Sequence, residues 1–119
     1  MRTTSDVINQ HLKSFAENNL DGILADYSPE AVLFTPGGPL RGPAEIKPFF
    51  QAFLSEFAKP GASFSLQQQY AEGEYAYILW SAETADNTFE TATDTFVVRD
   101  GKIVAQSFNA RITPKQRRS

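Results

Sequence analysis

Along residues 4–18 the positions Val7, Ile8, His11, Leu12 and Phe15 recur at helical spacing and fall on one face, which predicts an amphipathic helix. Thr4, Ser5 or Asp6 can cap its start, and Asn18-Asn19 ends it. A second short helical piece follows over 20–27, with Leu20, Ile23, Leu24 and Tyr27 as its apolar side; Asp26, beside Tyr27, is expected to be exposed. Ser28-Pro29-Glu30 breaks the helix. Residues 31–35 then read as a short strand, and Pro36-Gly37-Gly38-Pro39 as a sharp turn, since Pro presets φ and Gly permits unusual values. Over 44–58, Ile46, Phe49, Phe50, Phe53, Leu54 and Phe57 mark a strongly amphipathic third helix. Pro43 suits its first position, and Pro48 is expected to kink its first turn.

The rhythm changes after Lys59-Pro60-Gly61. Four runs, 64–71, 76–84, 89–99 and 102–112, are rich in β-branched and aromatic residues and read as strands. Glu72-Gly73-Glu74, Ala85-Asp86-Asn87 and Asp100-Gly101 supply the turns between them, giving an antiparallel meander of three hairpins. Helices at the front and strands at the back predict an α+β fold with the helices on one face of a curved sheet. Alternation assigns faces. Ala92, Asp94, Phe96 and Val98 form the more apolar set of their strand and are read as inward, as are Val104, Gln106, Phe108, Ala110 and Ile112 on the last strand. Tyr77 and Trp80 lie on opposite faces of one strand, so one faces the helices and the other the outside.

Composition narrows the chemistry. With 119 residues the chain is expected to be a single domain, 1–119, able to bury a core without staples. It has no cysteine and one histidine, which excludes disulfides, thiolate nucleophiles and multi-histidine metal sites; no metal and no cofactor are expected. All fourteen acids and seven of the eleven bases lie in residues 1–110, a net −7, and the last nine residues carry +4. Four basic residues without interleaved aromatics make a poor nucleic-acid arm, so 113–119 is read as a disordered basic tail. No nucleic-acid or membrane partner is expected. The start of the chain lacks a signal-peptide pattern, and the expected location is cytoplasmic.

Four blocks carry a family resemblance: residues 19–27 (NLDGILADY), 29–34 (PEAVLF), 40–46 (LRGPAEI) and 94–98 (DTFVV). They resemble the recurrent motifs of the nuclear transport factor 2-like superfamily, in its SnoaL-like and ketosteroid-isomerase-like branch, over about residues 4 to 112. The resemblance implies a cone-shaped, curved antiparallel sheet, mixed at most at one edge, with three N-terminal helices packed on its concave face. It also implies an apolar pocket, and a homodimer formed through the outer sheet face. Tyr75, Tyr77, Phe89 and the neighbouring threonines would supply that face. Ketosteroid isomerases use a carboxylate base, a Tyr and a protonated Asp. Carried over, the Asp donor falls on Asp94, the Tyr on His11 and the base on Thr35, just before Pro36. A Thr hydroxyl does not titrate near neutral pH, so the family's steroid reaction is not expected.

What remains is a possible His11–Asp94 pair with Thr35 nearby as the catalytic candidates, His11 being the side chain best matched to proton transfer near neutrality. Tyr27, Phe49, Phe53, Trp80, Phe96, Gln106 and Phe108 are the candidate ligand-binding residues. Bland readings stand beside these: His11 as a hydrogen-bonded core histidine, Asp94 on the solvent face, the phenylalanines as ordinary core. Three functions follow. One is a protein binding a small hydrophobic molecule. Another is a cofactor-independent isomerase, cyclase or dehydratase using His11 and Asp94. The third is a non-catalytic dimerisation module.

Overall fold

The computed structural model describes residues 2–115. In chain order the elements are α1 (Thr4–Ala16), α2 (Leu20–Ala25), β1 (Tyr27–Thr35), β2 (Gly38–Arg41), α3 (Gly42–Ala58), β3 (Ser63–Glu72), β4 (Tyr75–Glu83), β5 (Asn87–Arg99) and β6 (Lys102–Pro114). The strands form one curved, unclosed sheet in the order β2-β1-β6-β5-β4-β3. All neighbours run antiparallel except β1 and β6, whose parallel pairing joins the first hairpin to the meander. The expected α+β architecture is therefore the observed one.

Local chemistry explains the helix boundaries. Thr3, one residue before the expected caps, closes α1 with a reciprocal box: its hydroxyl accepts from the Asp6 N–H at 3.0 Å, and the Asp6 carboxylate accepts from the Thr3 N–H at 2.9 Å. Asn19 caps α2 by accepting from the Gly22 N–H. Gly22 also lies close against α1: a Cβ there would lie 2.6 Å from the Ser14 hydroxyl and 2.7 Å from the Asn19 side-chain nitrogen. At the start of α3, Gly42 takes φ +74° and the Arg41 N–H is held by the Glu45 carboxylate at 2.7 Å. Helix α3 runs on through Pro48, although that residue has no N–H to give. Its fully buried Ile46 and nearly buried Phe50 and Leu54 seat it on the sheet, each such side chain contributing roughly 1.5–3 kcal/mol.

Several boundaries depart from the sequence reading. Tyr27 is the first residue of β1 and no longer helical, and Gly38–Arg41, read in part as turn, pairs with β1 as a strand. Phe89, expected on the outer face, is buried, because the register slips between Phe89 and Thr91 and turns it inward. A second slip between Val97 and Val98 gives the inward place expected for Val104 to Ile103, which is fully buried. Ile112, also expected inward, is 43 % exposed close to the end of β6. That strand continues to Pro114, and Lys115 pairs with Glu83 at 2.9 Å, so order extends into the segment read as a tail; residues 116–119 lie outside the described residues. Among the described residues no helix is long and apolar enough to cross a membrane.

Candidate functional site

Ala92, Asp94, Phe96 and Val98 all face the helices, as alternation required. Strand register does the rest. Asp94 lies opposite Phe108 and Ile78, Phe96 opposite Gln106, and Leu33 of the parallel neighbour also opposite Gln106. Asp94 and Gln106 are thus diagonal neighbours on one face, within reach across the pair. Trp80 sits opposite Ala92, whose small side chain leaves the indole free to lean towards Asp94.

These residues surround a cavity between α1, α3 and the sheet. Its walls are Leu12, Phe15, Phe49, Phe50, Phe53, Phe64, Ile78, Trp80, Phe96 and Phe108, and its polar groups are His11, Asp94 and Gln106. Trp80 and Phe108 stack at 6.2 Å with 18° between their planes. Leu12, Phe15 and Phe64 also line an outer cleft with Phe57 and Leu66, which marks the mouth between α1 and β3. The internal volume is about 50 Å³, well under the ~150 Å³ of a cavity that holds benzene.

The polar groups form one connected chain. The Trp80 indole N–H donates to Asp94 at 2.9 Å and the Gln106 amide N–H to the other Asp94 oxygen at 2.8 Å. The Tyr27 hydroxyl donates to the Gln106 carbonyl oxygen and lies 3.4 Å from Nε2 of His11. His11 Nδ1 lies 3.2 Å from Asp26, whose second oxygen accepts from Arg2 at 2.8 Å. Among the described residues no buried side-chain nitrogen or oxygen lacks a partner. Burial raises the Asp94 carboxyl above its ordinary range, opposed by the hydrogen bonds from Trp80 and Gln106 and by the field of His11. Burial likewise lifts the Tyr27 phenol well above its usual range, helped by the negative charges of Asp94 and Asp26.

Of the expected catalytic group, His11 and Asp94 line the same cavity, but no hydrogen bond joins them among the described residues. Thr35 stays outside it: its hydroxyl donates to the Gly38 carbonyl and accepts from the Gly37 N–H, holding the β1–β2 turn. All the expected ligand-binding residues line the cavity except Tyr27, which is buried behind it against His11 and Gln106. Asp26, expected to be exposed, is 1 % exposed and is the actual partner of His11. It follows α2 as its C-cap, and its carbonyl accepts from the Ile103 N–H at 2.8 Å, which ties this junction to the start of β6. The available signal was its position three residues after Ile23, on the apolar side of α2. Among the described residues no three His, Asp or Glu side chains gather as metal ligands.

The SnoaL-like domain profile matches residues 8–106, which span α1 to the Gln106 position. The chain belongs to the SnoaL-like family. Solved structures agree on the fold. A candidate polyketide cyclase from Sinorhizobium meliloti superposes with a TM-score of 0.70 at 22 % identity, covering 87 % of this chain and 94 % of that one. A candidate ketosteroid isomerase from Kribbella flavida gives 0.75 at 13 %, covering 98 % and 83 %. TerC, co-crystallised with polyporic acid, gives 0.73 at 19 %, covering 91 % of each chain. No curated protein matches the sequence significantly. The family assignment rests on the sequence match over residues 8–106, and the solved structures agree with it in fold.

Proposed function

We propose that this SnoaL-like protein binds a small, flat, largely apolar molecule bearing at least one hydrogen-bonding oxygen, in the cavity between α1, α3 and the sheet. The observation that carries this reading is the cavity wall itself: an aromatic and aliphatic lining to which, among the described residues, His11, Asp94 and Gln106 add the polar side chains. Such a lining favours an apolar body and orients it by a few polar contacts. An internal volume of about 50 Å³ requires ring movement on entry, and Phe64 at the mouth, 41 % exposed, has the freedom to give way. TerC, whose fold is similar, was co-crystallised with polyporic acid.

Proton transfer on the bound molecule is the enzymatic extension of this reading, with His11 and Asp94 as acid and base. An isomerase, cyclase or dehydratase reaction on a hydrophobic substrate needs no more than such a pair. The chain's one tryptophan, Trp80, is the probe. Titration with 2-naphthol is expected to quench its fluorescence saturably in the native protein and much more weakly in Leu12→Phe, which fills the mouth. Non-saturable quenching of equal slope in both proteins would reject the pocket as a binding site.

A homodimer through the outer sheet face is proposed as its assembly. Phe34, Tyr70 and Tyr75 are 52 %, 58 % and 60 % exposed, and their strand partners Ser107, Tyr77 and Val97 extend the same uncharged face. Sedimentation at micromolar concentration is expected to give twice the monomer mass, and Tyr77→Lys to return it to 13.2 kDa. A native protein that sediments as a monomer would refute the assembly.

A further inference from the structure

The buried polar chain runs from Asp26 through His11, Tyr27 and Gln106 to Asp94 and so joins the two ends of the pocket. The Tyr27 hydroxyl has one proton and gives it to the Gln106 carbonyl oxygen. His11 Nε2, 3.4 Å from the same hydroxyl, is therefore left facing an oxygen lone pair and has to donate. His11 Nδ1 faces one oxygen of Asp26, whose other oxygen accepts from Arg2, so in this arrangement Nδ1 donates as well. The ring then carries both protons. At the far end Asp94 accepts from both Trp80 and Gln106, an arrangement suited to a carboxylate. Two cations, Arg2 and His11, balance two anions, Asp26 and Asp94.

A second arrangement also gives every group a partner. A half-turn of the Gln106 amide presents its carbonyl to Asp94, which donates as a neutral acid. The amide N–H then donates to the Tyr27 oxygen, and the hydroxyl proton turns to His11 Nε2, leaving a neutral ring with Nδ1–H still on Asp26. The two arrangements contain the same number of protons; one has moved from Nε2 of His11 to Asp94. Mixed arrangements leave a donor facing a donor, or a lone pair facing a lone pair, in a buried site.

We propose that Tyr27 and Gln106 are positioning residues that couple the two ends of the cavity, so that one proton is held either by His11 or by Asp94 and never by both. The inference rests on the pocket reading above. A bound molecule that takes a proton from His11 and yields one to Asp94 is changed only in where its hydrogen sits. The Tyr27–Gln106 link turns over with it, and the reverse passage restores the start. Burial of Asp94 keeps its neutral form within reach, which the second arrangement requires. The charged and titratable groups on this circuit are Arg2, Asp26, His11, Tyr27 and Asp94.

The test uses the ligand-free protein, so its failure leaves the 2-naphthol experiment untouched. Since His11 is the sole histidine, its two ring ¹⁵N signals need no assignment. In the native protein both nitrogens are expected to carry protons while the Gln106 amide protons give NOE contacts to the Trp80 indole. In Asp94→Asn the indole N–H of Trp80, a donor only, draws the new carbonyl, so the new amide nitrogen faces Gln106 and forces its half-turn. Nε2 of His11 is then expected to lose its proton, and the Gln106 amide protons to move their NOE contacts from the Trp80 indole to the Tyr27 ring. Gln106→Met cuts the link and frees the Tyr27 proton for Nε2, giving the neutral ring even with Asp94 in place. Simple charge attraction predicts otherwise: Gln106→Met would keep both ring protons, and Asp94→Asn would leave the amide unturned. Either result overturns the coupling, and the NOE arm decides it should Gln106→Met fail to fold.

Discussion

Replacing Asp26 with Ala tests the contact that organises the site. Asp26 is 1 % exposed and holds two partners, the buried His11 ring at 3.2 Å and Arg2 at 2.8 Å. Leaving the His11 N–H without an acceptor costs about 1–3 kcal/mol. Arg2 is 39 % exposed on its side chain and regains water when released, so its share is under about 1 kcal/mol. The expected loss is therefore roughly 1–4 kcal/mol, which for a domain of this size lowers Tm by about 4–16 °C. Arg2→Ala should cost less than ~1 kcal/mol, and Asp26→Asn, which keeps an acceptor for Nδ1, should fall between the two. Urea denaturation followed by circular dichroism measures all three on one scale. If Asp26→Ala costs no more than Arg2→Ala, the His11–Asp26 contact contributes nothing to the fold and the ordering of the imidazole by Asp26 is wrong.

Further outcomes follow from the same structure. Because burial raises the Asp94 carboxyl in the folded state, the native chain holds that proton more tightly than the unfolded one; the associated stability is present below about pH 4 and is lost as pH rises through the folded value. Thermal melts of the native protein and Asp94→Asn between pH 3.5 and 7 should therefore show the variant gaining relative stability with rising pH, and a pH-independent difference would contradict the buried setting of Asp94. Gly22→Ala drives a methyl against Ser14 and Asn19 at 2.6 and 2.7 Å and should cost about 1–3 kcal/mol. A loss in denaturant melts below ~0.5 kcal/mol, the range of ordinary surface changes, would mean that α1 and α2 are not locked together there. In alkaline ultraviolet titration one of the four tyrosines should ionise only on unfolding, since Tyr27 is buried beside two carboxylates. Four tyrosines ionising together in the folded protein would exclude that setting.

Much of the architecture is legible along the chain because it is local. The 3.6-residue spacing of Val7, Ile8, His11 and Phe15 requires one buried face of α1, and His11 belongs to it whatever packs there. The period of two through Ala92, Asp94, Phe96 and Val98 holds because the slip within that run, between Val97 and Val98, places its extra residue on β6 and leaves β5 regular. Where a bulge does intervene, the same arithmetic fails. Phe89 and Ile103 changed places with residues that strict alternation preferred, since one extra residue in a strand inverts every face beyond it and carries no composition signal of its own. The strand pairing of Gly38–Arg41 was hidden in a similar way, since Pro and Gly read as turn until a neighbour is there to pair with.

The polar chain of the site divides along the same line. The sequence by itself favoured inward faces for an imidazole, a carboxylate and an amide beside aromatic rings, because amphipathic periodicity decides which side of an element is buried, while the pocket was what the family resemblance implied. Only the tertiary structure decided which of them touch. His11 points at Asp26 because the α2–β1 junction is pinned to Ile103 at the start of β6, and Tyr27, as the first residue of β1, carries its hydroxyl to Gln106, 79 positions away. Periodicity gives each side chain a face; partners on that face are set by how elements far apart in the chain are packed, and the cost of leaving a buried donor unpaired makes that packing specific.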